Sequence, residues 1–159
     1  MIANLVFQKP ELFDELVQIY FKNEEPVSMR AAWIVDTITE ELPKLLLPWL
    51  ETICRKLPQF GHDGLKRHSL RMLVRSPLPP AQIGPLTNIC FKWLISPKES
   101  VAVKVYTMEI LYRISQTEPD LKKELADSIE WRMEEETPGF RNRGLKILKK
   151  LHKEINVTH

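Results

Sequence analysis

Apolar residues recur about every 3.6 positions along most of this chain, and prolines or small polar residues interrupt the pattern at regular places. This spacing predicts amphipathic α-helices separated by short turns. The clearest stripe consists of residues four apart: Leu121, Leu125, Ile129 and Met133. No stretch shows the strict alternation of a half-buried strand. The pattern therefore predicts an all-α chain.

The predicted helices are of two alternating types. Helices of the first type begin at or near a proline, and we place them at residues 10–22, 43–56, 80–94 and 119–135. Helices of the second type follow after a turn, at residues 27–40, 63–75, 99–116 and 138–153. Together they predict a single domain over residues 1–159, with repeat units at about 10–40, 43–75, 80–116 and 119–153.

Two kinds of landmark residue recur at the same interval. Pro43 and Pro80 are 37 residues apart, as are Pro48 and Pro85. A basic residue near the start of each second helix also recurs after 37, 37 and then 39 positions; these residues are Arg30, Arg67, Lys104 and Arg143. The interval from Pro80 to Pro119 is likewise 39. Agreement between independent landmarks indicates a stacked repeat array.

The prolines suit the first helices. At Pro43, Pro80 and Pro119, proline lies at or near a first helical turn, where its missing N–H has no partner to lose. Pro48 and Pro85 follow the first two of these by five residues. Each should kink the first helix or restart it after one short turn.

This arrangement of helix pairs, kinking prolines and a basic residue at the start of each second helix resembles the HEAT-repeat family and its armadillo relatives. The resemblance covers nearly the whole chain. It implies a right-handed α-α superhelix of about four helix pairs, with first helices on the convex face and second helices on the concave face. It also implies a protein that binds other macromolecules, so we expect a non-catalytic adaptor or scaffold.

Charge is distributed unevenly, although the chain as a whole carries only +2. The second helices together carry +8, which leaves −6 for the rest. This predicts a basic inner face that binds an acidic protein or peptide, with nucleic acid as the alternative partner. The predicted contact residues are Arg30, Arg67, Arg71, Lys104, Arg113, Arg143 and Lys146. The basic last helix can equally be read as a polar cap that keeps the end of the array soluble.

One constellation points toward an enzyme. Trp33 and Asp36, with Arg67 or Arg71 one unit further on, resemble the aromatic, Asp and Arg residues of HEAT-like alkylpurine DNA glycosylases. The simpler interpretation is that Trp33 is a core residue and that Asp36 is solvated or salt-bridged. The other tryptophans fall on first helices and are interpreted as packing residues: Trp49, Trp93 and Trp131.

Other catalytic or cofactor chemistry has little support, and we expect no cofactor. The chain has no glycine-rich phosphate loop, nucleophile elbow or metalloprotease His pair. His62 and His68 are six residues apart, which does not suit two ligands of one metal on a helix face, so we expect a helix cap at Asp63 and a partly exposed His68. Cys54 and Cys90 are interpreted as buried packing residues. The run Glu134, Glu135 and Glu136 is interpreted as a solvated helix end.

The chain contains no apolar run long enough to span a bilayer. Its first residues lack the basic segment and small-residue cleavage site of a secretory signal, so we expect a cytoplasmic protein without membrane contacts. Self-association through the end repeats is a third possibility. Three aromatic residues near the start could supply apolar contact area for it: Phe7, Phe13 and Phe21.

Overall fold

The computed structural model describes residues 8–158, with side chains as far as Val157. This part of the chain forms eight α-helices and contains no strand, so the all-α prediction is confirmed. By contacts between residues, the chain divides into two compact units, Met1–Gln82 and Ile83–His159. Each unit contains two helix pairs, and the prediction that all four pairs form one domain stays a prediction.

From residue 11 onward, the first unit contains four α-helices: α1 (Glu11–Phe21), α2 (Val27–Glu41), α3 (Leu50–Lys56) and α4 (Asp63–Val74). Short 3₁₀ segments occupy Pro43–Trp49, Leu57–Gln59 and Pro80–Gln82. The second helices of this unit, α2 and α4, pack against each other, and α1 packs against α2.

The second unit contains the remaining four α-helices: α5 (Ile83–Leu94), α6 (Val101–Thr117), α7 (Leu121–Met133) and α8 (Pro138–Thr158). Its second helices, α6 and α8, pack against each other, and each also packs against its own first helix. No helix in the described residues is both long enough and apolar enough to cross a membrane.

The paired prolines restart the first helix, as one of the two sequence interpretations predicted. In the first unit, Pro43 opens a 3₁₀ segment that contains Pro48, and α3 begins only at Leu50. In the second unit, α5 follows directly after the 3₁₀ segment that begins at Pro80, and Pro85 is its third residue. Proline lacks an N–H, but the first residues of an α-helix have no intrahelical acceptor for that group. Two of the first helices, α3 and α5, therefore begin directly after a 3₁₀ segment.

Aromatic residues fill the core of the first unit. The Tyr20 and Phe60 rings stack with centroids 5.7 Å apart, and Phe21 meets Trp49 edge-on at 6.0 Å. Phe13 and Phe21 are 3% and 8% exposed. The prediction that these two residues offer contact area to a partner chain is therefore wrong, because both are buried. Phe7, which was predicted with them, lies outside the described residues.

The apolar stripe on α7 forms part of the core of the second unit. Leu125 and Ile129 are fully buried, as the stripe predicted. Gly144 lets α8 approach this stripe closely, since a Cβ atom at this position would lie 3.1 Å from Ile129 Cγ2 and 3.0 Å from Met133 Cε. Cys54 and Cys90 are both buried and are not joined in a disulfide, in agreement with their predicted packing role.

Two glycines, each the second residue of its helix, should respond differently to a methyl group. A Cβ atom on Gly64 would lie 2.5 Å from Met29 Cγ and 3.0 Å from His62 Nδ1, the atom that caps α4. We expect Gly64→Ala to lower the free energy of unfolding by about 1–3 kcal/mol through overpacking. Apart from its two chain neighbours and the backbone of its own helix, nothing lies within 4 Å of the corresponding atom on Gly84. Gly84→Ala gains helix propensity, but the ring of the following Pro85 disfavours helical backbone in a residue with a Cβ atom, so we expect stability to change by less than about 0.5 kcal/mol. Urea unfolding followed by circular dichroism measures both, and equal stabilities would contradict the packing argument.

Candidate functional site

A buried carboxylate connects the two second helices of the first unit. Asp36 on α2 is 1% exposed and accepts hydrogen bonds from two side chains of α4 and from Arg75, the residue directly after it. His68 Nδ1 lies 2.8 Å from Oδ2, and Arg71 Nη1 and Arg75 Nη1 lie 2.9 and 2.6 Å from Oδ1. The three donors are three and four residues apart, which places them on one face of α4 and its C-terminal end. Asp36 therefore clamps α4 to α2.

These hydrogen bonds also fix the charge of Asp36. Burial would raise the pKa of this carboxyl, but the hydrogen bonds from His68, Arg75 and Arg71 outweigh that effect and hold the pKa below its usual range. The carboxylate is ionised and already hydrogen-bonded to three side chains, which favours a structural role. The interpretation of Asp36 as salt-bridged is confirmed.

The remaining members of the Trp33 constellation do not gather around Asp36. Trp33 is 58% exposed, so its interpretation as a core residue is wrong. Arg67 pairs with Asp63 of its own helix, at 2.7 Å, and Arg71 also reaches Glu40 at 3.0 Å. The predicted cap at Asp63 is wrong by one position, because the side chain of His62 accepts the hydrogen bond from Gly64 N.

A second buried ionic cluster lies in the second unit. Glu136 follows the end of α7 and accepts hydrogen bonds from Lys104 Nζ and from Arg132, whose Nη2 is 2.9 Å away. Lys104, Arg132 and Glu136 are 4%, 6% and 6% exposed. Two sequence interpretations change as a result. Glu136 is not part of a solvated helix end, and Lys104 does not reach solvent as a contact residue would.

The most strongly basic concave surface is a groove between α6 and α8. It is a cavity of about 320 Å³. We call it the basic groove and define it by the aromatic and cationic residues that line it: Tyr112, Arg113, Arg143, Lys146, Lys149 and Lys150. Ile147, which is 5% exposed, also lines it. The two second helices of this unit thus present five cationic side chains at one place.

Acidic side chains neutralise only part of this charge. Glu109 pairs with Arg143, at 2.6 Å between Oε1 and Nε. Within the part of the chain that the structure describes, no carboxylate pairs with Lys146, Lys149 or Lys150, and all three side chains are exposed. Lys150 Nζ instead lies 5.4 Å from the centroid of the Tyr112 ring, a cation–π distance. The groove therefore keeps an uncompensated positive charge.

One further acidic residue, Glu154, lies beside Tyr112 but is fully engaged. It accepts hydrogen bonds from Tyr112 Oη at 2.7 Å and Gln116 Nε2 at 2.8 Å, and it pairs with Lys122 at 3.2 Å. Partial burial and the carboxylate of Glu154 raise the pKa of Tyr112 to about 12. The phenol is therefore neutral at physiological pH and serves to hold Glu154 in place.

The structure brings together three of the seven predicted contact residues. Arg113, Arg143 and Lys146 line the basic groove. Four others lie elsewhere: Arg30, Arg67 and Arg71 in the first unit, and Lys104 in the interior of the second. Sequence reasoning did not single out Tyr112, Lys149 or Lys150. The available signal for Lys150 was its spacing of seven residues from Arg143, which places both on one helix face.

A larger cavity in the first unit is lined by fewer charged residues than the basic groove. This cavity of about 720 Å³, near Phe13, Pro48 and Trp49, is mainly apolar. Over residues 8–158, no group of His, Cys, Asp or Glu side chains is arranged so that it could hold a metal ion.

Comparison with known proteins identifies the family. The chain matches the family described as "HEAT repeat domain" over residues 1–151. Neither a search of curated proteins nor a search of solved structures gave a significant match. HEAT repeats generally mediate protein–protein interactions. With eight α-helices in four pairs over residues 11–158, prolines at the start of first helices and a family match over residues 1–151, the chain belongs to the HEAT repeat family.

Proposed function

We propose that this protein is a non-catalytic adaptor that binds an acidic protein segment in the basic groove. The observation that carries the proposal is the set of three exposed lysines in one concave surface without a carboxylate partner in residues 8–158: Lys146, Lys149 and Lys150. Like charges held this close repel one another, and an acidic partner relieves that repulsion. The general role of HEAT repeats in protein–protein interaction supports the same choice.

The position of these lysines separates binding from simple capping. The last helix of an array needs a polar surface only where no further repeat covers it. Lys146 and Lys150 lie instead on the side of α8 that faces α6, where they line the groove. Capping thus accounts for exposed charge on α8 but not for its concentration in the groove.

A protein partner suits the groove better than nucleic acid does. The groove contains a carboxylate, Glu109, and a single aromatic ring, Tyr112. Surfaces that bind single-stranded nucleic acid usually combine a more continuous basic track with several stacking aromatics. The formal charge of the whole chain is only +2. The binding experiment therefore also measures affinity for duplex DNA.

Charge reversal in the groove should weaken binding to an acidic peptide. We expect Lys146→Glu with Lys150→Glu to lower affinity for a fluorescent Glu-rich peptide by roughly tenfold or more, since two attractive pairs become repulsive. Fluorescence anisotropy at about 50 and 200 mM salt measures this effect. The matched control reverses two exposed lysines of the first unit, Lys22→Glu with Lys44→Glu, which changes net charge equally.

The same assay includes a variant that should bind more tightly. Glu109→Gln removes the carboxylate that occupies Arg143, so we expect affinity for the acidic peptide to rise about threefold. If the Lys146→Glu/Lys150→Glu variant binds as the parent does, or no more weakly than the Lys22→Glu/Lys44→Glu control, the groove is not the binding surface. Tighter binding to duplex DNA than to the peptide, with a steep loss of affinity in salt, would support the nucleic-acid function instead.

A further inference from the structure

The cations of the basic groove lie in a row along α8. Arg143, Lys146 and Lys150 line the groove, and Lys153 continues the row at the exposed end of the helix. Their separations are three, four and three residues. At a rise of about 1.5 Å per residue, the Cα atoms of the four residues lie at roughly 0, 4.5, 10.5 and 15 Å along the helix axis. The row therefore has the period of an α-helix over three turns.

A partner matches this row only if its carboxylates have the same period. In a helix, residues three or four apart lie on one face, so four acidic residues can meet all four cations. In an extended segment, side chains on one face are about 6.6–6.8 Å apart, so that successive carboxylates move out of register with the row. A helical segment fits the charge pattern better than an extended one.

The size of the groove agrees with a helix that lies across its surface. A cavity of about 320 Å³ holds a few side chains rather than a whole helix. Packed helices meet when side chains of one enter the spaces between side chains of the other. The partly exposed Tyr112 ring supplies a small apolar surface at the groove, whereas Ile147, 5% exposed, is buried. An apolar side chain beside the acidic row of the partner helix can pack against that ring.

Glu154 limits the row at its C-terminal end without cancelling it. This carboxylate is held by Tyr112, Gln116 and Lys122, so it does not compete for the lysines of the row. Glu109, in contrast, pairs with Arg143, and a partner carboxylate has to share or replace that contact. A partner carboxylate can therefore pair with Lys146, Lys150 or Lys153 without displacing the Glu109–Arg143 ion pair.

We propose that the basic groove recognises an acidic amphipathic helix whose carboxylates are spaced three, four and three residues apart. This inference rests on the proposed function, because it names the partner of the same groove. It adds a requirement that charge alone does not impose: the arrangement of the acidic residues, and not only their number, sets the affinity.

Two peptides of identical composition test the requirement. Both are helical by circular dichroism and carry four glutamates in an Ala/Gln/Leu background. In the striped peptide the glutamates follow the three-four-three spacing, and in the scattered peptide they are distributed around the helix. We expect the striped peptide to bind at least fivefold more tightly. The preference should disappear in Lys146→Gln with Lys150→Gln, which removes half of the row without introducing repulsion.

The outcomes separate the two proposals. If both peptides bind equally and both weaken in the lysine variants, the groove binds acidic segments but the helical requirement is overturned. If neither peptide binds at about 50 mM salt, the proposed function fails and the inference fails with it. Tighter binding of a third peptide, with the same glutamates in a proline-rich extended background, would also overturn the helical partner.

Discussion

Replacement of Asp36 by alanine should lower the free energy of unfolding by about 2–4 kcal/mol. Asp36 is 1% exposed and accepts hydrogen bonds from His68, Arg71 and Arg75. Its removal leaves the guanidinium of Arg75, whose side chain is 24% exposed, without its carboxylate partner. The loss is large because three side chains lose their shared partner and the partly buried Arg75 keeps part of its desolvation cost. Urea unfolding followed by circular dichroism gives the value.

Glu40 provides the matched control for this substitution. Its carboxylate pairs with the same Arg71, at 3.0 Å, but the side chain is 55% exposed. Glu40→Ala should cost less than about 1 kcal/mol, as is usual for surface ion pairs. Similar losses for Asp36→Ala and Glu40→Ala would show that burial of the carboxylate does not decide the energy.

The same residue should produce an acid-sensitive part of the stability. In the folded protein the pKa of Asp36 lies below its ordinary value, because the three hydrogen bonds outweigh burial. Its contribution is therefore complete above the unfolded-state pKa of about 3.9 and is lost as the pH falls through the lower folded-state pKa. The difference in stability between the parent and Asp36→Ala should shrink over that interval, and a constant difference down to pH 2 would contradict the assignment.

Local signals in the sequence predicted the helices well. The second helix of the first pair was placed at residues 27–40 and occupies Val27–Glu41, and that of the second pair was placed at 63–75 and occupies Asp63–Val74. Proline chemistry also predicted where the first helices restart. These features depend on residues only a few positions apart, so the sequence pattern contains them directly.

Burial of individual side chains was harder to predict, because it depends on residues about one repeat away. The sequence predicts that Trp33 and Trp131 are packing residues, but they are 58% and 66% exposed. It predicts that Lys104 is a surface contact, yet its partner Glu136, 32 residues later, holds it in the interior. A basic residue at the start of a second helix thus has no fixed environment. Its exposure depends on whether the next repeat supplies a buried carboxylate.

The candidate site shows the same division. Helix type and charge identified Arg113, Arg143 and Lys146, which lie together in the basic groove. Neither property indicated that Glu109 pairs with Arg143 while Lys146 has no such partner in residues 8–158. That difference arises from the packing of α6 against α8. It decides which cations are available to a partner.

The second large effect should follow from Glu136→Ala, which we expect to lower the free energy of unfolding by about 3–5 kcal/mol. Glu136 is the carboxylate shared by Lys104 and Arg132, and all three side chains are buried. Its removal leaves the Lys104 ammonium, with 5% of its side chain exposed, without its salt-bridge partner. The variant should unfold at markedly lower urea concentration.

The neighbouring glutamate makes the test specific. Glu135 pairs with the same Arg132, at 3.1 Å, but its side chain is 73% exposed. Glu135→Ala should change stability by less than about 0.5 kcal/mol. A large loss in both variants would mean that acidic residues stabilise the end of α7 through their charge alone. A large loss in Glu136→Ala alone would show that the buried Lys104–Glu136 pair joins the start of α6 to the end of α7, and so supports the two helices from which the groove is built.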